Sequence, residues 1–122
     1  MLVLSRRPGE CIEVSGGTIL TVIAVRSRKA VAVIDIGRGP RVVDEGSSLR
    51  LGDIRFTVCE VVHAGKVKIG VSAPPDVQVY RSEVIDKIIE PFSHYSAEFI
   101  VARTRIPMEM VERRVTCTST KD

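Results

Sequence analysis

Arginine is the residue type with the most chemistry to offer in this chain. Arg6 and Arg7 stand side by side at the end of an apolar alternating run, Leu2 and Leu4, just before a Pro8-Gly9 turn. Arg81 closes a second run, Val79-Tyr80-Arg81, that follows a hinge at Ala73-Pro74-Pro75-Asp76. A guanidinium is a planar fork of donors that pairs bidentately with a carboxylate, a phosphate or the O6/N7 edge of guanine, and a tyrosine ring beside it can stack on a base. This is the chemistry of holding an anion, and bond-making chemistry has no comparable signal. No nucleophile sits beside a general base, and no pair of carboxylates is spaced for acid–base work. Cys11, Cys59 and Cys117 are odd in number and lack a C-x-x-C spacing, while His63 and His94 have no second ligand at metal spacing. Gly37-Arg38-Gly39-Pro40 lacks the Lys-Ser/Thr and the helix that a phosphate loop needs, so it reads as a flexible turn. We expect no enzymatic step, no metal and no cofactor.

Composition narrows the partner. The 122 residues are 44% hydrophobic, with Val and Ile prominent, which favours a small, mainly β domain. Aromatic residues make up only 4%, without Trp, so a nucleic-acid surface built on stacked aromatic platforms has little to work with. Recognition would rest on arginine and backbone groups. The net charge is +3, and it is unevenly spread: residues 1–81 carry 12 Lys or Arg against 8 Asp or Glu, whereas residues 82–122 carry 6 against 7. The basic excess lies in the strand-rich portion, as a polyanion partner would require and as ordinary solubility also allows. No apolar run has the length of a signal peptide or a membrane span, so a cytoplasmic protein is expected.

The elements that must position the arginines are short strands. Thr18 to Val25, a basic turn at Arg26-Ser27-Arg28-Lys29 and Ala30 to Ile36 read as a hairpin. A shift of 36 positions then lays Gly16 on Gly52, Leu20 on Phe56, Thr21 on Thr57, Val22 on Val58, Val25 on Val61, Val31 on Val67 and Val33 on Ile69. Residues 16–36 and 52–72 are therefore an internal repeat of one hairpin. The repeat reaches back loosely to the opening strand, but where the opening has Ser5-Arg6-Arg7-Pro8 the centre has Val42-Val43-Asp44-Glu45. Ser82 reads as the cap of a short helix over about 83–90, with Val84, Ile85, Ile88 and Ile89 on one face and Pro91 as its stop. Residues 1–91 form the expected β domain. Residues 92–122 are an extension in which Pro107 opens a brief helix through Met108, Met110 and Val111, and Thr116 to Asp122 is a loose polar tail.

As a set, the opening MLVLSRRPGE and the later KVKIGVSAPPDVQVYRSEV resemble the carbon storage regulator (CsrA, or RsmA) family over about residues 1–14 and 52–90, with 16–51 as an extra hairpin-sized block. The resemblance implies a small interleaved β-barrel or sandwich of short antiparallel strands with a short C-terminal helix. Two chains of such proteins interleave as a homodimer, and each junction between a first and a last strand holds RNA. It implies a post-transcriptional repressor that binds GGA-containing mRNA leader hairpins near the ribosome-binding site, as in the regulation of carbohydrate metabolism. A regulatory small RNA or a flagellar assembly factor would act as antagonist. Carried onto this sequence, the RNA-contacting positions are Leu4, Arg6, Arg7, Val79, Tyr80 and Arg81. Tyr80 stands where the family commonly has His, which keeps stacking and loses an imidazole hydrogen bond. Two alternatives stay open: a degenerate member that binds a protein instead of RNA, and a single-chain pseudo-dimer in which the two hairpin copies do the work of two chains.

Overall fold

The computed structural model describes residues 1–63 and 65–119. Nine strands come first: β1 (Leu2–Arg6), β2 (Cys11–Val14), β3 (Thr18–Arg26), β4 (Val31–Asp35), β5 (Arg41–Asp44), β6 (Ser48–Leu51), β7 (Ile54–Val62), β8 (Lys66–Ser72) and β9 (Val79–Arg81). Three helices follow: α1 (Ser82–Ile89), α2 (Ala97–Thr104) and α3 (Met108–Ser119). The strands form two antiparallel sheets in the orders β1-β8-β7-β6 and β5-β4-β3-β2-β9. They face each other as an open sandwich, and neither closes into a barrel. Alternation explains the layers: Ile12, Val14, Leu20, Val22, Ala32 and Ile34 from one sheet meet Phe56, Val58, Val67, Ile69 and Val71 from the other in a single core.

The repeat is visible in atomic detail. Both long hairpins, β3–β4 and β7–β8, carry a bulge at the same place, between Val22 and Ala24 and between Val58 and Glu60. In each the long strand carries the extra residue, Ile23 or Cys59, and on its other side one residue is shared by two of the preceding segment: Gly9 N donates to Val22 O and Val22 N to Glu10 O, as Gly46 N donates to Val58 O and Val58 N to Ser47 O. The halves also exchange strands. β1 leaves its own half to pair with β8, β5 pairs with β4, and β9 pairs with β2. The register aligns Arg6 opposite Val67 with Asp44 opposite Val31, so Asp44 holds in the second copy the place that Arg6 holds in the first.

Two copies do not give ten strands. β8 runs through the Ala73–Gln78 hinge into β9, whereas β4 is followed only by Ile36–Pro40 before β5 begins. That turn is held by Asp35, whose carboxylate accepts from the backbone N–H groups of Gly37, Arg38 and Gly39 at 2.7, 3.2 and 3.2 Å. It is thus a braced turn whose amides are already occupied, where the sequence suggested a flexible one.

The helices build a second core. Ile85 and Ile89 of α1 pack with Ile100, Ile106, Met110 and Val111, and Tyr80, Phe92, Ala97 and Val101 border them. α1 begins at Ser82 with Arg81 as its cap residue and no side-chain cap, one residue earlier than expected. Of its anticipated apolar face, Ile85 and Ile89 are buried while Ile88 remains 36% exposed. α3 starts just after Pro107 and is longer than expected, since its backbone continues through residues 116–119 of the anticipated polar tail. Residues 120–122 lie outside the described residues.

Candidate nucleic-acid interface

β1 and β9 belong to different sheets, and Glu83 at the start of α1 ties them together. The Arg6 guanidinium donates to Glu83 through both terminal nitrogens, Nη1 to Oε1 at 2.9 Å and Nη2 to Oε2 at 2.6 Å. Two further N–H groups donate to Cys11 O at 3.1 Å and Ser5 O at 2.7 Å. Arg6 is 3% exposed, so its fork is spent inside the protein. Glu83 feels this bond first and the Arg6 and Arg81 charges after it; its carboxyl is held down at about 2, against an ordinary 4.5. Arg81 stands two residues before Glu83, opposite Ile12 at the end of β9. The clamp thus fixes the end of β1 near the end of β9.

The other arginines are left outward. Arg7 and Arg81 are exposed, and neither guanidinium forms a hydrogen bond or ion pair with a described residue. Arg7 itself is oriented through its backbone, which donates to Glu10 Oε1 at 2.7 Å. Leu4 and Val79 are half-buried and rest on the main core. Tyr80 is half-buried too, but packs towards the helical cluster, with its hydroxyl 3.5 Å from Gln78 Oε1. Between the start of β1 and the hinge lies a groove of about 360 Å³ lined by Leu2, Ala73, Pro74, Pro75, Val77 and Val79.

The six residues singled out in the sequence therefore fall into three groups. Arg7 and Arg81 are outward donors, Leu4 and Val79 are apolar supports, and Arg6 and Tyr80 are turned inward. The equivalent ground in the second copy is different: Asp44 occupies the place of Arg6 in the strand register, Glu45 follows it, and Glu45 accepts from Val61 N at 2.8 Å.

Two carboxylates that organise this region were not evident in the sequence. Glu83 was legible only as a residue suited to the first turn of a helix. Glu13 sits between Ile12 and Val14 on β2, opposite Tyr80, and is 3% exposed. Burial pushes its carboxyl up, but hydrogen bonds from Arg114 and Ser82 and the charges of Arg114 and Arg113 outweigh this and leave it below the usual range. Arg113 Nη1 donates to it at 2.6 Å and Arg114 Nη2 at 2.5 Å, across about a hundred residues of sequence. The only hint in the sequence was a lone charge at an outward strand position, which ordinarily marks a solvated face.

Among the described residues no group of three or more His, Cys, Asp or Glu side chains gathers as metal ligands do, and no helix is long and apolar enough to cross a membrane. Cys11 and Cys59 are free thiols on strands, half-buried.

Comparison with known proteins agrees with the strand pattern. Residues 44–90 match the model of the CsrA family, described as a global regulator protein family. A Translational regulator CsrA from Solidesulfovibrio magneticus is 48% identical over 46 residues, which are 37% of this chain and 57% of that protein. The chain thus matches little more than half the length of that relative. No solved structure matches it. The matched segment is contiguous and runs from the end of β5 through α1, so it takes in the second copy of the hairpin. Val79, Tyr80 and Arg81 lie within the match, and Leu4, Arg6 and Arg7 belong to the portion that precedes it. With its hairpin repeated ahead of it and its strands exchanged between the two copies, the chain carries, from Asp44 to Glu90, a segment similar to the carbon storage regulator (CsrA) family.

Proposed function

We propose that this chain is a post-transcriptional regulator that binds GGA-containing loops of mRNA leaders near the ribosome-binding site and represses translation by occupying them, without an enzymatic step. The observation that carries the reading is the pair of outward, unpaired guanidiniums, Arg7 and Arg81, on either side of the buried Arg6–Glu83 clamp. In their roles, Arg7 and Arg81 read guanine edges or hold phosphates, and Leu4 and Val79 support the bases that enter the neighbouring groove. Arg6 is a positioning residue. Tyr80 offers only its outer edge to a base, because its ring packs on the helices.

The working unit in this reading is one chain with one site. The strand exchange that joins two chains in the family resemblance joins two halves here, and the second junction carries Asp44 and Glu45, which repel phosphate. A gel-shift titration tests the reading. A GGA hairpin should bind at least tenfold tighter than the same hairpin with the GGA scrambled, and Arg7→Ala and Arg81→Ala should each cost about 1 to 3 kcal/mol of that affinity. Lys29→Ala, at the far basic turn, should change little. Equal binding of both hairpins would leave only charge attraction and refute specific readout.

A further inference from the structure

β6 has a neighbour on one side only. Its counterpart in the first copy, β2, is paired on both sides, with β3 and with β9. The repeat places Leu49 on Ile12, Arg50 on Glu13 and Leu51 on Val14, since Leu49 faces Phe56 as Ile12 faces Leu20. No strand among the described residues fills the vacancy, because the first copy ends in the braced turn Ile36–Pro40 where the second has its hinge and β9. The four-stranded sheet is therefore one strand short of the other.

The hydrogen-bond phase of the open edge follows from its neighbour. Val58 N donates to Ser47 O, so with alternation the pair Leu49–Phe56 is hydrogen-bonded and Arg50 and Ser48 turn their N–H and C=O groups away from β7. These are the groups to which β2 binds β9 in the other sheet. Side chains add a charge requirement. Arg50 stands directly opposite Arg55, both are exposed, and neither has an ion-pair partner among the described residues. Like charges directly opposite one another are unfavourable until an anion separates them. Where β2 has Glu13 under two arginines of α3, β6 has Arg50 and Arg55 with no helix over them. Leu49 and Leu51, on the other face, rest on the main core.

We infer that the open edge of β6 docks an extended acidic segment of a partner protein, added as the missing fifth strand with a carboxylate against Arg50 and apolar residues against Leu49 and Leu51. A second copy is the poorer occupant. Antiparallel pairing of β6 with itself sets Arg50 against Arg50 in one register, and beside Ser48 without any acid in the other. An arginine on an open edge thus discourages self-pairing while selecting a strand of opposite charge. The inference rests on the sheet and is independent of RNA binding at β1 and β9.

The probe is a fluorescein-labelled peptide, Asp-Val-Gln-Val-Glu-Val-Ser, patterned on the segment from Asp76 to Ser82 with Glu at the place of Tyr80 and Val at the place of Arg81. Its anisotropy should rise saturably with wild-type protein, and Arg50→Glu, an exposed substitution whose fold is checked by its melt, should weaken binding tenfold or more. N-methylation of the peptide Glu, whose N–H faces β6 in this register, should abolish binding, while N-methylation of the next Val should leave it. Absence of saturable binding, or binding indifferent to Arg50→Glu and to the position of the methyl, would overturn the inference. So would a doubling of the protein's mass with concentration that Arg50→Pro removes, since the edge would then belong to a second copy.

Discussion

At the scale of single residues, the two adjacent arginines of the opening strand have opposite fates, and their substitutions separate accordingly. Arg6→Ala removes a buried cation and strands the Cys11 carbonyl, so it should lower stability by about 1 to 3 kcal/mol. Arg7→Ala touches no internal bond and should leave the melting temperature within a degree or two while weakening RNA. Thermal melts of both variants beside their RNA affinities check this, and an unchanged melt for Arg6→Ala would contradict the clamp. Acid gives a second check. Glu83, Glu13 and Glu109 all have folded-state carboxyls below their ordinary value of 4.5, Glu83 at about 2. The folded state then binds fewer protons than the unfolded one, so the stabilisation is complete above about pH 4.5 and fades as the pH falls towards 2. Denaturant midpoints measured from pH 6 to pH 2.5 should fall, and Glu83→Gln should flatten part of that slope. The sequence pointed to Arg6 and Arg7 as a pair because both can serve as a fork. It could not tell which fork is spent, since that depends on Glu83, which lies 77 residues away and reaches Arg6 only through strand exchange.

At the scale of elements, the hairpins were readable because burial of one sheet face imposes a period of two, and a repeat shows that period twice. Val58 is fully buried in the core, as Val22 is in the first copy. Val58→Asp should therefore abolish the cooperative melt, at a cost of several kcal/mol that a domain of this size cannot absorb. Survival of the melt would mean that the strand register is displaced by one. The helices were harder to read. α2 and α3 bury only part of their surface, so their apolar periodicity is weak, and α3 is anchored largely by ions: Arg113 and Arg114 on Glu13, Arg114 on Asp86, and Glu109 on Gly16 N at 2.7 Å. Arg114 supplies two of the three guanidinium bonds to the buried Glu13, so Arg114→Ala should cost about 1 to 3 kcal/mol even with Arg113 left in place. Hydrogen exchange should show the loss first in α3, with β7 and β8 still protected. Uniform loss across the chain would mean that the helices and the sandwich do not open separately.

At the scale of the whole molecule, one chain holds most of what a strand-exchanged pair would hold. Its two copies swap first strands, β1 to β8 and β5 to β4, and the second copy lends β9 to the first, but the loan is not returned. The repeat made this arrangement conceivable from sequence, and the shortness of the central segment argued for two chains instead, because Ile36 to Glu45 cannot supply a last and a first strand together. The fold meets that shortage by omitting a strand and leaving β6 open. One complete junction remains, with arginines, and one reduced junction, with acids. The most direct test is native mass spectrometry of the chain with a GGA hairpin at increasing RNA. A single chain carrying a single hairpin, with no second hairpin bound at excess and no complex formed by the scrambled loop, is the predicted result; two chains sharing two hairpins, or equal capture of the scrambled loop, would contradict it.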